Sequence, residues 1–287
     1  MYSRKAVYFY YKSFASVLFL MLFPVTIVLV GGSMGMATLS IYPMLGGIVI
    51  ALLIASPGLP RLLAINANRD MKQDKIRKAL GKTGRACRLP FVPVSVLIFD
   101  AYINVVNGKT GEAKDRLESI GDKEMSFPEK SKYQAVRALI EWIETRDAEK
   151  GIRLLGELNR NGADESVYYV VGKLMNLCRE PSEARKYNAD AMEMHPGNRD
   201  IMENLVVSYC RTGQDKEAKL LFRNLYYDLK ATTDSFYYMS EIKLRDGKKQ
   251  DALEFLEAAL DIEQKATNIV TVDMMDKRMD ELRGTGI

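Results

Sequence analysis

Two hydrophobic patterns divide the chain. From Ser13 to Pro60, 48 residues pass without one Asp, Glu, Lys or Arg. After Arg61, apolar residues recur at three- and four-residue intervals between charged ones. A helix or strand in water normally carries charge on its exposed side, so the first pattern fits a bilayer. About 20 apolar residues cross the hydrocarbon layer as a helix. The stretch therefore predicts two crossings, at about 14–30 and about 36–56, joined by the flexible turn Gly31-Gly32-Ser33-Met34-Gly35. In the second crossing Gly47, Ala51 and Ala55 recur every four residues on one face. That spacing lets helix backbones approach closely in lipid, with either the first crossing or another membrane protein as the partner.

The second pattern is an internal repeat. Ala113, Ala148, Ala184, Ala218 and Ala252 lie 35, 36, 34 and 34 residues apart, directly after Glu112, Asp147, Glu183, Glu217 and Asp251. Gly108, Gly213 and Gly247 each precede one of these alanines by five residues. Such spacing predicts stacked helical hairpins. Glycine closes a first helix in the left-handed conformation. The acid favours the positive end of the second helix, and alanine lets two helices cross closely. Apolar stripes agree: Met202, Leu205, Val206 and Tyr209 precede Ala218, Leu221, Phe222 and Leu225, and Phe236, Met239 and Ile242 precede Ala252, Phe255, Leu256 and Ala259.

The last three of these units resemble tetratricopeptide repeats, helix-turn-helix units of 34 residues. The third reads Tyr168, Val171, Gly172, Met175, Ala184, Asn188, Ala191 and Pro196 along the family pattern, and the fourth and fifth carry Lys230 and Gln264 where the family has proline. The first two units, from about Val94 and Lys132, follow the pattern more loosely. The resemblance covers about two thirds of the chain and implies an all-α fold. A tail and transmembrane hairpin (1–60) and a basic juxtamembrane linker (61–92) would lead into about five helix pairs (93–266) and a capping helix (267–287). In that helix Ile269, Val272, Met275, Met279 and Leu282 oppose Asp273, Asp276, Asp280 and Glu281.

The resemblance also implies a groove for a protein or peptide partner, lined by the first helices. The family's groove positions fall on Tyr169, Lys173, Asn176, Glu203, Asn204, Arg211, Tyr237, Tyr238, Glu241 and Arg245. Tyrosines among mixed charges suit a polypeptide, and they equally suit packing against the next repeat.

Charge sets the expected orientation. Residues 1–90 carry 12 Lys and Arg against 2 Asp and Glu, whereas residues 91–287 carry 29 against 35. The basic excess is thus confined near the crossings, where positive residues stay cytoplasmic. Both termini are expected on that side of a cell membrane, with the nine basic residues from Arg61 to Arg88 near anionic lipid headgroups. Nucleic-acid binding is not expected, since these residues lack interleaved aromatic rings.

No catalytic, metal-ligating or cofactor-binding constellation emerges, and a non-enzymatic scaffold or adaptor is expected. The alternative is a subunit of a transport or envelope machine in which the hairpin itself packs with partners. Gly81-Lys82-Thr83 and Gly108-Lys109-Thr110 lack the upstream glycine of a phosphate loop and read as turns. The single histidine, His195, precedes Pro196 at an inter-repeat turn. Cys87, Cys178 and Cys210 are too scattered for a zinc site or a disulfide scaffold.

Overall fold

The computed structural model describes residues 58–73, 75–160, 164–227 and 231–284. The two expected crossings, and with them Gly47, Ala51 and Ala55, lie outside the described residues. Among those described, no helix is long and apolar enough to span a membrane. Thirteen helices and no strand occur among them. The chain divides into two units, one holding residues 77–100 with the described residues before 74, the other holding residues 75–76 and the described residues from 101 onward.

In the first unit, α1 (Gly58–Met71) and α2 (Ile76–Ala86) precede the start of α3 (Val94–Val106). The basic segment 61–92, expected as a linker, is therefore mostly helical. Its helices have a buried side: Ala79, Thr83 and Ala86 fall at i, i+4 and i+7 of α2 and are fully covered. This periodic burial outweighs the poor helix propensity of Gly81 and Gly84. Gly81-Lys82-Thr83 accordingly lies inside α2 instead of forming a turn. Ala64, Ala86 and Val96 form a small core with Leu63, Cys87, Val92 and Phe99 around it, and Lys82 pairs with Asp70 at 2.6 Å.

The second unit is the stack. The end of α3 is followed by α4 (Thr110–Glu118), α5 (Phe127–Thr145), α6 (Ala148–Arg160), α7 (Glu165–Cys178) and α8 (Pro181–Met194). Next come α9 (Arg199–Arg211), α10 (Asp215–Tyr227), α11 (Thr233–Arg245), α12 (Lys249–Asp261) and α13 (Val272–Arg283). All five repeat alanines are buried, four of them completely. Gly108, Gly213 and Gly247 take φ of +77°, +71° and +74°, the left-handed turns that their spacing predicts. The second pair begins five residues earlier than its apolar spacing suggests, because Ser126 caps α5 and Glu129 reaches back to the Ser126 amide at 3.0 Å.

First helices pack on one another, α5 on α7, α7 on α9 and α9 on α11, and form the inner layer. The second helices α6, α8 and α10 each pack on the first helix of their own pair and on that of the next. The last helix, α13, packs on α12, burying Met275 and Met279 against Leu256 and Ala259. Gln264, standing where the related repeats have proline, closes the end of α12 by donating to the carbonyls of Ala259 and Ile262, both at 2.9 Å.

A buried polar network replaces apolar packing at the centre. Asn188, in the place of the family's aromatic residue, donates to Ser208 Oγ (2.9 Å) and to the Gly172 carbonyl (3.3 Å). Ser208 donates to Asn176 Oδ1 (2.7 Å), and Asn176 donates to the Asn204 carbonyl (2.9 Å). Asn204 closes the chain on the Tyr169 carbonyl at 2.8 Å. All four side chains are buried, so each bond lost leaves an unsatisfied polar group. A Cβ at Gly172 would overlap Asn188 Oδ1. Gly172→Ala is therefore expected to cost about 2 kcal/mol, measured as a lowered urea midpoint. A variant as stable as the parent would show that the network yields without loss.

Candidate functional site

The inner layer is closed over by the protein's own chain. In an open stack the first helices would show one side to water, yet every residue of α7 from 170 to 176 is buried, as are Glu203 and Asn204 of α9. The segment 262–271, between α12 and α13, lies against this layer as a strap. At its middle, the Ala266 amide donates to the Val106 carbonyl at the end of α3 (2.9 Å). At its end, the amides of Ile269 and Val270 donate to the two oxygens of Asp234, at 3.1 and 2.9 Å. Thr267, Asn268 and Val270 are buried there.

Asp234 sits in the first turn of α11, where the helix dipole favours its charge. Besides the two amides it accepts from Lys173 Nζ of α7 at 3.1 Å. The lysine and aspartate side chains are 4% and 1% exposed, making this a buried ion pair whose carboxylate takes three donors. Lys173 also lies over the Tyr169 ring, 5.6 Å from its centre. Burial alone would depress the Lys173 ammonium. Asp234 and Glu203 outweigh it and hold the group above its ordinary value.

Glu203 stands opposite. Burial pushes its carboxyl up to about 8; Lys173 pulls it down, and Asp234 pushes it up further. Its Oε1 is buried with no hydrogen-bond partner among the described residues. Asp200, one turn earlier on α9, is raised by burial, with Lys265 of the strap and Lys173 opposing. Tyr102 of α3 and Tyr169 complete the ring of groups, and desolvation raises both hydroxyls well above their usual value, so they stay neutral. The arrangement binds polypeptide backbone: a carboxylate takes two successive amides while a lysine neutralises it.

The ten groove residues expected from the sequence fall into three sets. Lys173 pairs with Asp234, Glu203 feels Lys265 of the strap, and Tyr169 stands beside them half-buried. Asn176 and Asn204 are committed to the internal network. The remaining five lie toward the last two pairs. Glu241 holds Arg278 of α13 through two bonds of 2.7 and 2.8 Å, and Arg245 holds Asp215 through bonds of 3.1 and 2.6 Å. Tyr237 and Tyr238 meet edge to face, 5.6 Å between centres, against the core that seats α13. Arg211 Nη1 is buried without a hydrogen-bond partner among the described residues.

Asp234, Asp200 and Tyr102 were not anticipated. The two aspartates lie 34 residues apart at the same place in successive first helices, and that repeat-period pair was the available signal. Gly108-Lys109-Thr110 forms the α3–α4 turn, and His195 ends α8 with its ring 4.9 Å from that of Tyr168.

A solved structure shares the helical fold: a tetratricopeptide repeat protein from Parabacteroides merdae ATCC 43184, 14% identical, with a TM-score of 0.51 over 78% of this chain and 84% of that one. The fold is tetratricopeptide-like. No family model matches the chain, and no curated protein is significantly similar to it. The tetratricopeptide-like stack thus gives the architecture, and the strap-filled inner layer is described from this chain's own residues.

Proposed function

We propose that this protein is a scaffold that binds a polypeptide partner on its helical stack, at the cytoplasmic face of a cell membrane, and performs no chemistry itself. The observation that carries the reading is the grip of Asp234, neutralised by Lys173, on two successive backbone amides of a non-helical segment. A surface that holds one such stretch has the chemistry to hold another, because successive amides are offered by any peptide without proline. Stacks of this kind are quasi-linear and present long surfaces, which suits assembly of a complex. The uncharged run from Ser13 to Pro60 supports anchorage in lipid, and the basic run after it supports contact with anionic headgroups.

Photocrosslinking from position 237 in intact cells is the direct test. A discrete protein adduct that disappears when Arg211 is replaced by alanine is the expected result. Persistent absence of any adduct from positions 211, 237 and 238 would remove the scaffold reading. Protease added outside sealed cells is expected to leave the stack intact; digestion would reverse the proposed orientation.

A further inference from the structure

The strap has the features of a bound ligand that happens to be covalently attached. It reaches from the end of α3 to the start of α11, held by three backbone amides and by side-chain bonds of Glu263 to the Ile76 amide and of Gln264 to Thr233. Lys265 opposes Asp200 and Glu203 electrostatically. Four and five residues later come Ile269 and Val270, whose amides sit on Asp234 and of which Val270 is fully covered. One acceptor is left over: Glu203 Oε1, buried and without a hydrogen-bond partner among the described residues. A resident segment that leaves a buried oxygen unsatisfied is a poorer occupant than a peptide able to donate to it.

We infer that segment 262–271 is a resident mimic of the partner, and that the inner layer accepts in its place a turn-forming peptide carrying a basic residue followed, four and five positions on, by two β-branched residues. This rests on the scaffold reading and adds to it the sequence class of the ligand and the reason the free protein is closed. The basic side chain takes the place of Lys265 beside the two acids of α9. The paired amides take Asp234, and the second β-branched side chain fills the covered site of Val270. A proline at either amide position removes a donor and is excluded. Tethering holds the strap at an effective concentration on the order of millimolar, so an equally matched peptide displaces it only at a comparable concentration and a better-matched one below it.

The geometry offers a reversible lock. A Cβ built on Gly108 lies 3.6 Å from the Ala266 Cβ, within the Cβ separation of a disulfide. In the full chain, Gly108→Cys with Ala266→Cys pins the strap when oxidised and frees it when reduced. The probe is a labelled decapeptide copying residues 262–271, followed by fluorescence anisotropy. Binding at least tenfold weaker to the oxidised form than to the reduced form is expected, with the difference abolished by reductant. Equal binding to both forms, or none to either, overturns the inference.

Because cysteine at position 108 must adopt a positive φ, a second measurement uses the unaltered chain. Saturating probe is expected to accelerate hydrogen exchange at the amides of Ala266, Ile269 and Val270 by at least fivefold. Unchanged exchange likewise overturns the inference. Crosslinking in isolated membranes, where the lock can be oxidised, reports separately on the scaffold role. Adducts that form with the lock closed leave that role standing and remove the strap from it.

Discussion

Replacing Asp234 by alanine is expected to lower the free energy of unfolding by about 3–5 kcal/mol, the range for breaking a buried ion pair from one side. Three donors lose their acceptor at once: Lys173 Nζ and the amides of Ile269 and Val270. The lysine is 4% exposed and has no water to turn to. Lys173→Met should cost less, about 2–3 kcal/mol, because the aspartate it abandons keeps both amides. Urea denaturation of the two variants beside the parent checks the order. If Lys173→Met proved the more damaging, the carboxylate would not be the centre of the site. Limited proteolysis adds an independent sign, since only the aspartate variant releases the strap and should be cut between α12 and α13.

Raising the pH should destabilise the protein through Glu203, and Glu203→Gln should remove most of that slope. The sign follows from linkage. An unfolded glutamate loses its proton near 4.5, whereas the folded one keeps it until about 8. Between those values the folded state binds more protons, so stability falls as pH rises, by about 1.4 kcal/mol for each pH step, and levels off above the upper value. The neutral amide of the Glu203→Gln variant has no proton to lose and so carries no such penalty. At about pH 8.5 the variant is expected to exceed the parent by about 3–5 kcal/mol, with near-equal stability in acid, where both side chains are uncharged. A smaller slope persists from Asp200, which burial raises in the same direction. Melting temperatures from about pH 5 to 9 decide this; parallel profiles for variant and parent would show that Glu203 is ionised throughout.

The repeat was legible because its signals are local. A glycine turn, an acid and an alanine close together in sequence need only their own helix pair to act, and Gly213 and Ala218 stand in the structure as their spacing requires. Other features depend on distant partners. Whether Asp234 is solvated or buried is decided by amides 35 and 36 residues away, and no periodicity encodes that. Asn188 reads as a lapse in the apolar pattern until Ser208 and Gly172 are placed around it. The basic segment looked like a linker because its charges dominate its composition; the buried side of α2 rests on small residues, Ala79, Thr83 and Ala86, which carry little hydrophobic signal. The groove positions hold for open stacks, and nothing in that analogy encodes a segment inserted between the last repeat and the final helix.

A bare terminal repeat would offer its sticky side to the first repeat of another molecule, and copies could then polymerise end to end. Here Met275 and Met279 point inward, while Asp273, Asp276 and Asp280 face solvent. The final helix covers the apolar side that a first repeat would need and turns a polar face outward, which removes the head-to-tail contact at this end of the stack.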